Sequence, residues 1–460
     1  MARLVVVSNR VPVPKVRGAS AGGLAVALKD IMIPGSVWFG WSGRISERTA
    51  DAPTQVEGRG VNYVTIDLSA EDHRKFYLGF SNGTLWPLFH FRLGLVHFRR
   101  EDYRAYVDVN QAYANALAGI LEPDDLVWVH DFHLIPLARL LRKKGIKNRI
   151  GFFLHTPFVP PTVISALPVA RDILLDMLHY DVTGFQTQEH AHDFVECTTR
   201  ILGAQVAGEM IRFRGETTRI LVCPIGIDAE SLLREAKRAE RSPENVRMRE
   251  SLGEKALAIG VDRLDYSKGL PERFEGFSRL LARHPEHHRK ISFLQIAPVS
   301  RQEVIEYKSL RLELDRLAGH LNGHYSQFDW VPLRYSTRAT RREVLAGFYR
   351  IAKIGIVTPL RDGMNLVAKE YVAAQDEADP GVLVLSCLAG AAEELTEALL
   401  VNPYDPDEIA DALHIALLMP RDERKARHTA LREKVRRTTA AAYCDRFLMA
   451  LRSPSEASAA

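Results

Sequence analysis

Two cations five residues apart, Arg263 and Lys268, follow the apolar run Ala256 to Val261 and precede a glycine, Gly269. A planar arginine fork and a lysine point charge at a strand end suit a diphosphate, each charge-assisted hydrogen bond contributing about 1.5 to 3 kcal/mol. The plainer alternative is a pair of ion pairs with Asp262 and Asp265. In a second segment, Thr358 to Glu370, a strand gives way to an Asp362-Gly363 turn, then to Met364, Asn365, Leu366 and Val367 as a helix opens. The first N–H groups of such a helix make an anion site. Glu370 falls on the same face as Gly363, about two turns on, where a carboxylate could take a pair of ligand hydroxyls. Asp362 could hold sugar hydroxyls or serve as an ordinary N-cap. A third anion site is suggested by Gly18-Ala19-Ser20-Ala21-Gly22-Gly23 after Arg10. None of these segments carries GxGxxG or the Walker lysine pattern, so dehydrogenase and P-loop readings are weak.

Histidines end two apolar runs, at His130-Asp131-Phe132-His133 and at His155, and Arg301 follows Ile296-Ala297-Pro298-Val299-Ser300 as a helix begins. Zinc at the first of these lacks a third clustered ligand, and the expectation is no metal and no cofactor. Asp405-Pro406-Asp407-Glu408 looks like a metal-nucleotide DxD, but aspartate, proline and glutamate in that order make a helix start. Gly40 to Gly43 and Ser81 to Pro87 read as loops carrying Trp41 and Trp86, where sugar stacking competes with packing.

Short β-branched runs alternating with amphipathic helices must position these groups. Leu4 to Ser8, Val61 to Asp67, Asp125 to His130, Arg149 to His155, Val182 to Gln186 and Arg219 to Pro224 read as strands, as do Ala256 to Val261, Ile291 to Ala297, Ile354 to Val357, Val382 to Leu385 and Leu399 to Val401. That alternation predicts an α/β fold of two Rossmann-like, doubly wound parallel sheets, with ligands at the carboxyl ends of the strands in the interdomain cleft. The expected boundary follows Pro224-Ile225-Gly226-Ile227-Asp228, giving domains 1–228 and 229–439. The 460 residues are 46% apolar and 26% charged, which excludes a disordered tether. A net charge of +4 gives no sign of a nucleic-acid partner. The four widely spaced cysteines and the absence of any long apolar run predict a cytoplasmic protein without membrane attachment.

Together these segments resemble the trehalose-6-phosphate synthase family, retaining nucleotide-sugar glucosyltransferases of GT-B type with two facing Rossmann-like domains. The resemblance runs in order through Val6 to Arg10, Ala21-Gly22-Gly23-Leu24, Trp38 to Gly43, Leu85-Trp86-Pro87, His130 to Leu134, Gly151 to His155, Val261 to Leu270 and Arg361 to Glu370. It departs from the family at the strand-ending histidine, where the family usually reads His-Ile-Pro-Phe-Pro and this chain reads His155-Thr156-Pro157-Phe158-Val159-Pro160-Pro161-Thr162.

The resemblance implies that Arg10, Tyr77, Trp86, Asp131 and Arg301 hold glucose 6-phosphate. Gly22, Gly23, Arg263, Lys268, Glu370 and the backbone at Leu366 and Val367 would hold the diphosphate and ribose of UDP-glucose, or of another nucleotide-glucose. His155, Asp362 and the backbone from Gly363 through Met364 to Asn365 would surround the donor glucose. Arg263, Lys268, His155 and Asp362 would carry the catalytic work. The last helix, from about Ala440 to Ala460, would cross back to the first domain. The implied reaction forms α,α-trehalose 6-phosphate and UDP by a metal-independent front-face route, and the resemblance leaves homo-oligomerisation open. The rivals are a glucosylglycerol-phosphate synthase, a cyclitol-coupling pseudo-glycosyltransferase and a non-catalytic sugar-phosphate sensor.

Overall fold

The computed structural model describes residues 2–13, 32–50, 52–58, 60–301 and 304–453, so Gly22 and Gly23 lie outside the described residues. The chain forms two compact units, Met1–Ile225 with Ala440–Ala460, and Gly226–Thr439.

The first unit is built on ten strands: β1 (Leu4–Arg10), β2 (Val37–Ser46), β3 (Thr54–Gly58), β4 (Val61–Ser69), β5 (Leu126–His130), β6 (Arg149–Phe153), β7 (Val182–Phe185), β8 (Gln205–Ala207), β9 (Met210–Phe213) and β10 (Glu216–Val222). Their order is β3-β4-β2-β1-β5-β6-β7-β10-β9-β8. The seven strands from β4 to β10 in that order are parallel, and Val5, Val6 and Val7 of β1 are fully buried, as a strand covered on both faces requires. The edges depart from the expected all-parallel sheet. β3 and β9 run antiparallel to their neighbours because short hairpins join them; between β9 and β10, Arg214 and Gly215 both take positive φ, which matches the twist of a tight hairpin turn.

Gly40 to Gly43 is not a loop but part of β2, pressed so closely on β1 that a Cβ at Gly40 would lie 2.1 Å from the Ser8 carbonyl oxygen. Ser81 to Pro87 is likewise helical, in a wide π-type run, His73–Leu85, that continues as the helix Trp86–Phe89. The helix Ala440–Arg452 completes this unit. Phe447 stacks on Trp128 at 4.5 Å and fills the space left by Gly151 and Gly184, where a Cβ would come within 2.6 and 3.0 Å of its ring. Arg149 donates to the carbonyls of Leu451 and Ser453.

The second unit has six parallel strands: β11 (Ala256–Val261), β12 (Ile291–Ile296), β13 (Leu333–Ser336), β14 (Ile354–Val357), β15 (Val382–Ser386) and β16 (Leu399–Val401), in the order β13-β12-β11-β14-β15-β16. The DxD-like stretch is a helix start: Asp405 accepts from the Asp407 and Glu408 N–H groups, and the helix runs Pro406–Leu418. In each unit the chain winds out to one side and then the other, reversing between β1 and β5 in the first and between β11 and β14 in the second. Ligand-binding groups of open α/β sheets belong just past the carboxyl ends of such strands.

Candidate functional site

In the second unit the two strands at the reversal are followed by the two segments richest in candidate chemistry. After β11 the chain makes a short turn, Tyr266–Lys268, then Gly269 with φ +63, then the helix Leu270–Arg283. A Cβ at Gly269 would meet the Thr358 carbonyl oxygen at 2.2 Å, so a glycine lets this turn lie against the end of β14.

The carboxylates flanking Arg263 and Lys268 also have partners outside this segment. Asp262 pairs with Arg273 at 2.7 Å, both fully enclosed. Asp265 accepts from the Ser267 N–H and hydroxyl, from the Tyr307 hydroxyl at 3.0 Å and from Arg301 at 3.4 Å. Burial alone would raise the Asp265 carboxyl, but Arg301, Arg263, Lys268 and the Ser267 N–H outweigh it and hold it at about 2. Lys268 reaches the other segment, its Nζ 2.5 Å from Asp362 Oδ2, while Arg263 is exposed beyond the strand end.

Asp362 is not the N-cap of the helix that follows. That helix is Leu366–Ala374, and its cap is Asn365, at φ +78, whose side chain makes no capping hydrogen bond. Instead Asn365 Nδ2 donates to Asp362 Oδ2 at 3.0 Å. The N–H groups of Leu366 and Val367 have no acceptor inside the helix. The loop is pinned from behind: Asp362 N–H donates to the Leu388 carbonyl, and the carbonyls of Asp362 and Met364 accept from Gly390 and Ala391. Gly363 and Met364 are buried within it.

Glu370, on the first turns of the same helix, has its carboxyl pushed up to about 7 by burial, against the pull of Arg342 and of the neighbouring Tyr349 hydroxyl. The sign of the consequence follows from proton counting. Between about pH 4.5 and 7 the unfolded chain has released this proton and the folded one has not, so the folded state binds more protons and stability falls as pH rises through that window. The difference in urea stability between wild type and Glu370→Gln should therefore change by an amount on the order of 2 kcal/mol from pH 4.5 to pH 8, the partial exposure of the side chain allowed for. A pH-independent difference would show that Glu370 titrates normally.

In the first unit the candidate residues form a chain of ring contacts. The Arg10 guanidinium lies 5.8 Å over Trp41, beside Gly43. Tyr77 stands 6.2 Å from Trp41 and stacks on His133 at 5.8 Å, with an interplanar angle of 13°. His133 stacks on Phe132, and Phe132 touches Trp86. Asp131, at φ +76, accepts the His155 N–H at 3.3 Å. Three of the six non-glycine residues with positive φ among the described residues are thus candidates: Asp131, Arg301 and Asn365. Such backbone costs about 1 to 3 kcal/mol and gathers at working sites.

His155 sits between two partners. Gln186 Oε1 accepts the Ile225 N–H, which turns its Nε2 toward His155 Nδ1 at 3.3 Å, and His155 Nε2 faces His130 Nδ1 at 3.1 Å. The network assigns the proton of His155 to Nε2. Burial pushes the His155 imidazole down to about 3, and burial with the His155 charge pushes His130 well below its ordinary range. Both shifts favour the neutral rings that the hydrogen bond between them requires.

Arg273, Tyr307 and Gln186 were not singled out from the sequence. Gln186 directly follows β7 and the strand-end rule would have found it; Arg273 and Tyr307 are helix residues without a local signal.

A family model described as glycosyltransferase family 20 matches residues 2–453. The chain is 48% identical over 441 residues to a trehalose-6-phosphate synthase of Cronobacter sakazakii, covering 95% of this chain and 92% of that protein. A solved α,α-trehalose-phosphate synthase (UDP-forming) from Burkholderia vietnamiensis superposes with a TM-score of 0.97 at 45% identity, covering 100% of this chain and 99% of the other. A Burkholderia xenovorans enzyme of the same description, solved in complex with glucose-6-phosphate, gives 0.95 at 43% identity, covering 98% and 100%. No helix among the described residues is long and apolar enough to cross a membrane.

Proposed function

The chain belongs to glycosyltransferase family 20, and on that premise we propose that it transfers glucose from UDP-glucose to the anomeric hydroxyl of glucose 6-phosphate, forming α,α-trehalose 6-phosphate and UDP. The single observation that carries the donor half is the arrangement past β11 and β14: Arg263, Lys268 and the start of the helix Leu366–Ala374, where no side chain caps the first N–H groups.

In this reading the donor C1–O bond to the β-phosphate breaks while a bond from the acceptor hydroxyl oxygen to C1 forms on the same face. The hydroxyl proton passes to the departing phosphate oxygen. Negative charge grows on the diphosphate as an oxocarbenium-like sugar develops, so the largest stabilisation comes from pre-placed cations and N–H dipoles. Arg263, Lys268 and the Leu366 and Val367 N–H groups supply it. Lys268 does so while Asp362 holds it by one carboxylate oxygen, and Asp362 and Asn365 are placed for the hydroxyls of the donor sugar. Glu370 takes the ribose hydroxyls; its ionised form is the better acceptor, so donor affinity rises with pH through about 7. A glycosidase would need a second carboxylate as nucleophile or base, a role the departing phosphate oxygen fills in this route.

Arg10, Tyr77, Trp86 and Asp131 are the acceptor residues in this reading, supported by the ring chain that holds Arg10 and Tyr77 against Trp41. Arg301 is assigned to the acceptor phosphate. Arg301→Ala should raise the KM for glucose 6-phosphate by about tenfold or more with a smaller change in kcat, since a charge-assisted hydrogen bond is worth about 1.5 to 3 kcal/mol. An unchanged acceptor KM would remove Arg301 from that role. The absence of a disulfide among Cys197, Cys223, Cys387 and Cys444 suits a reducing cytoplasm.

The reading is tested by nucleotide release with EDTA present, screening UDP-, GDP- and ADP-glucose against glucose 6-phosphate and glycerol 3-phosphate. UDP release with glucose 6-phosphate, and a non-reducing disaccharide phosphate as product, is expected. Release only with glycerol 3-phosphate would overturn the acceptor assignment, and no release with any pair would overturn the transferase reading.

A further inference from the structure

At the opposite end of the second sheet from the strand ends just described, three metal-capable side chains converge. The helix Leu270–Arg283 ends at His284, a single turn Pro285–His287 follows, and β12 begins at Ile291. Because β11, β12 and β14 are parallel, this turn lies at their amino ends, away from Arg263, Lys268 and Asp362. His414, on the helix Pro406–Leu418, stacks on His284 with ring centroids 3.7 Å apart.

One donor atom each from His284, Glu286 and His414 falls within 4.8 Å of the others. His284 Nδ1 is 3.2 Å from Glu286 Oε1, and His414 Nδ1 is 4.0 Å from the same oxygen. Ligands about 2.1 Å from a tetrahedral ion stand about 3.4 Å apart, so these separations bracket the required spacing. His287 Nε2 lies at hydrogen-bond distance, 2.9 Å, from His414 Nδ1 and so orients that ring. The neighbouring cation does not compete for the carboxylate, since Arg283 is paired with Asp407 and Asp411.

We propose that His284, Glu286 and His414 form a binding site for one zinc-class divalent ion. Imidazole and carboxylate donors in this number suit a borderline ion of that class over magnesium or calcium, which prefer oxygen alone. The donors come from two elements about 130 residues apart in sequence. Those elements already pack closely, for a Cβ at Gly276 would come within 2.6 Å of Ile409. A bound ion would staple the end of one helix to the other, a stabilising link that rests on no part of the transferase reading and takes no part in the reaction.

The test uses untagged, full-length protein stripped with chelator and titrated with Zn²⁺ alone, followed by calorimetry and thermal melting. One Zn²⁺ per chain is expected, with a melting midpoint that rises with free Zn²⁺. Co²⁺ should show the visible absorption of a tetrahedral site. His284→Ala and His414→Ala should each weaken binding by at least the roughly tenfold that loss of even an outer-shell partner causes, and should keep transferase turnover in EDTA. His320→Ala, which disrupts the exposed His320–His324 pair on the helix Ile305–Tyr325, should bind Zn²⁺ as wild type does. No stoichiometric uptake, equal affinity in all variants, or loss only on His320→Ala would overturn the proposal.

Discussion

Arg263→Ala is expected to lower turnover about 100-fold or more while leaving the melting midpoint nearly where it was. Arg263 stands exposed past the end of β11, and the carboxylates on either side of it are bound to Arg273 and to Ser267, Tyr307 and Arg301. Its removal takes one of several counter-charges from Asp265, which keeps Arg301, Ser267 and Tyr307 as partners, so the fold loses little; exposed substitutions of this kind usually change stability by about 0.5 kcal/mol or less. The reaction loses a cation aimed at growing phosphate charge, which in comparable sites costs about 10² to 10³ in kcat. Arg263→Lys, which keeps the charge but not the fork, should fall between the two. Near-normal kcat in Arg263→Ala would take this residue out of the donor site.

The largest stability loss should come from Arg273→Ala. Arg273 is fully buried and ties four parts of the unit together: Asp262 at the end of β11, Gln295 on β12, Thr358 after β14 and the Lys268 carbonyl in the intervening turn. Burial pushes the Asp262 carboxyl up, with Arg273 and then Lys268 pulling it back. Removing the guanidinium leaves that carboxylate enclosed without its partner, at a cost of about 3 to 5 kcal/mol. Against a total of about 5 to 15 kcal/mol for a domain, this threatens the unit as a whole. Urea unfolding would measure it, and the double variant Asp262→Asn with Arg273→Ala should lose less than the two single variants together. A loss below about 1 kcal/mol would show that the pair is not held dry.

The buried parallel strands were legible because Val5 to Val7, Ala256 to Val261 and Ile354 to Val357 are short apolar runs set between helical patterns. β2 was hidden by its glycines. Gly40 reads as a loop residue in one dimension, and only the approach of the Ser8 carbonyl shows why a strand needs it. Asn82-Gly83 concealed the helical run His73–Leu85 in the same way, although Ser81, Asn82 and Thr84 are buried there. The edge strand β8 and its neighbour β9 carry too little apolar pattern to be seen, for the end of a sheet need not be buried on both faces. Candidate residues at strand ends could be read from position. Their partners could not: Lys268 and Asp362 meet across 94 residues, and the pairing of Asp262 with a helix residue has no spacing rule behind it.

The helix Ala440–Arg452 imposes an order in time. The second unit is one unbroken stretch of chain, whereas the first is built from segments on either side of it. A ribosome adding about 5 to 20 residues per second needs roughly 10 to 40 seconds to make the segment between. For that interval Trp128 and Phe153 have no Phe447 to cover them, and the hollow at Gly151 and Gly184 stays open. The unit translated first is therefore the one finished last, and a nascent chain stalled short of residue 440 presents an apolar sheet face to the chaperones and proteases that survey unfinished proteins.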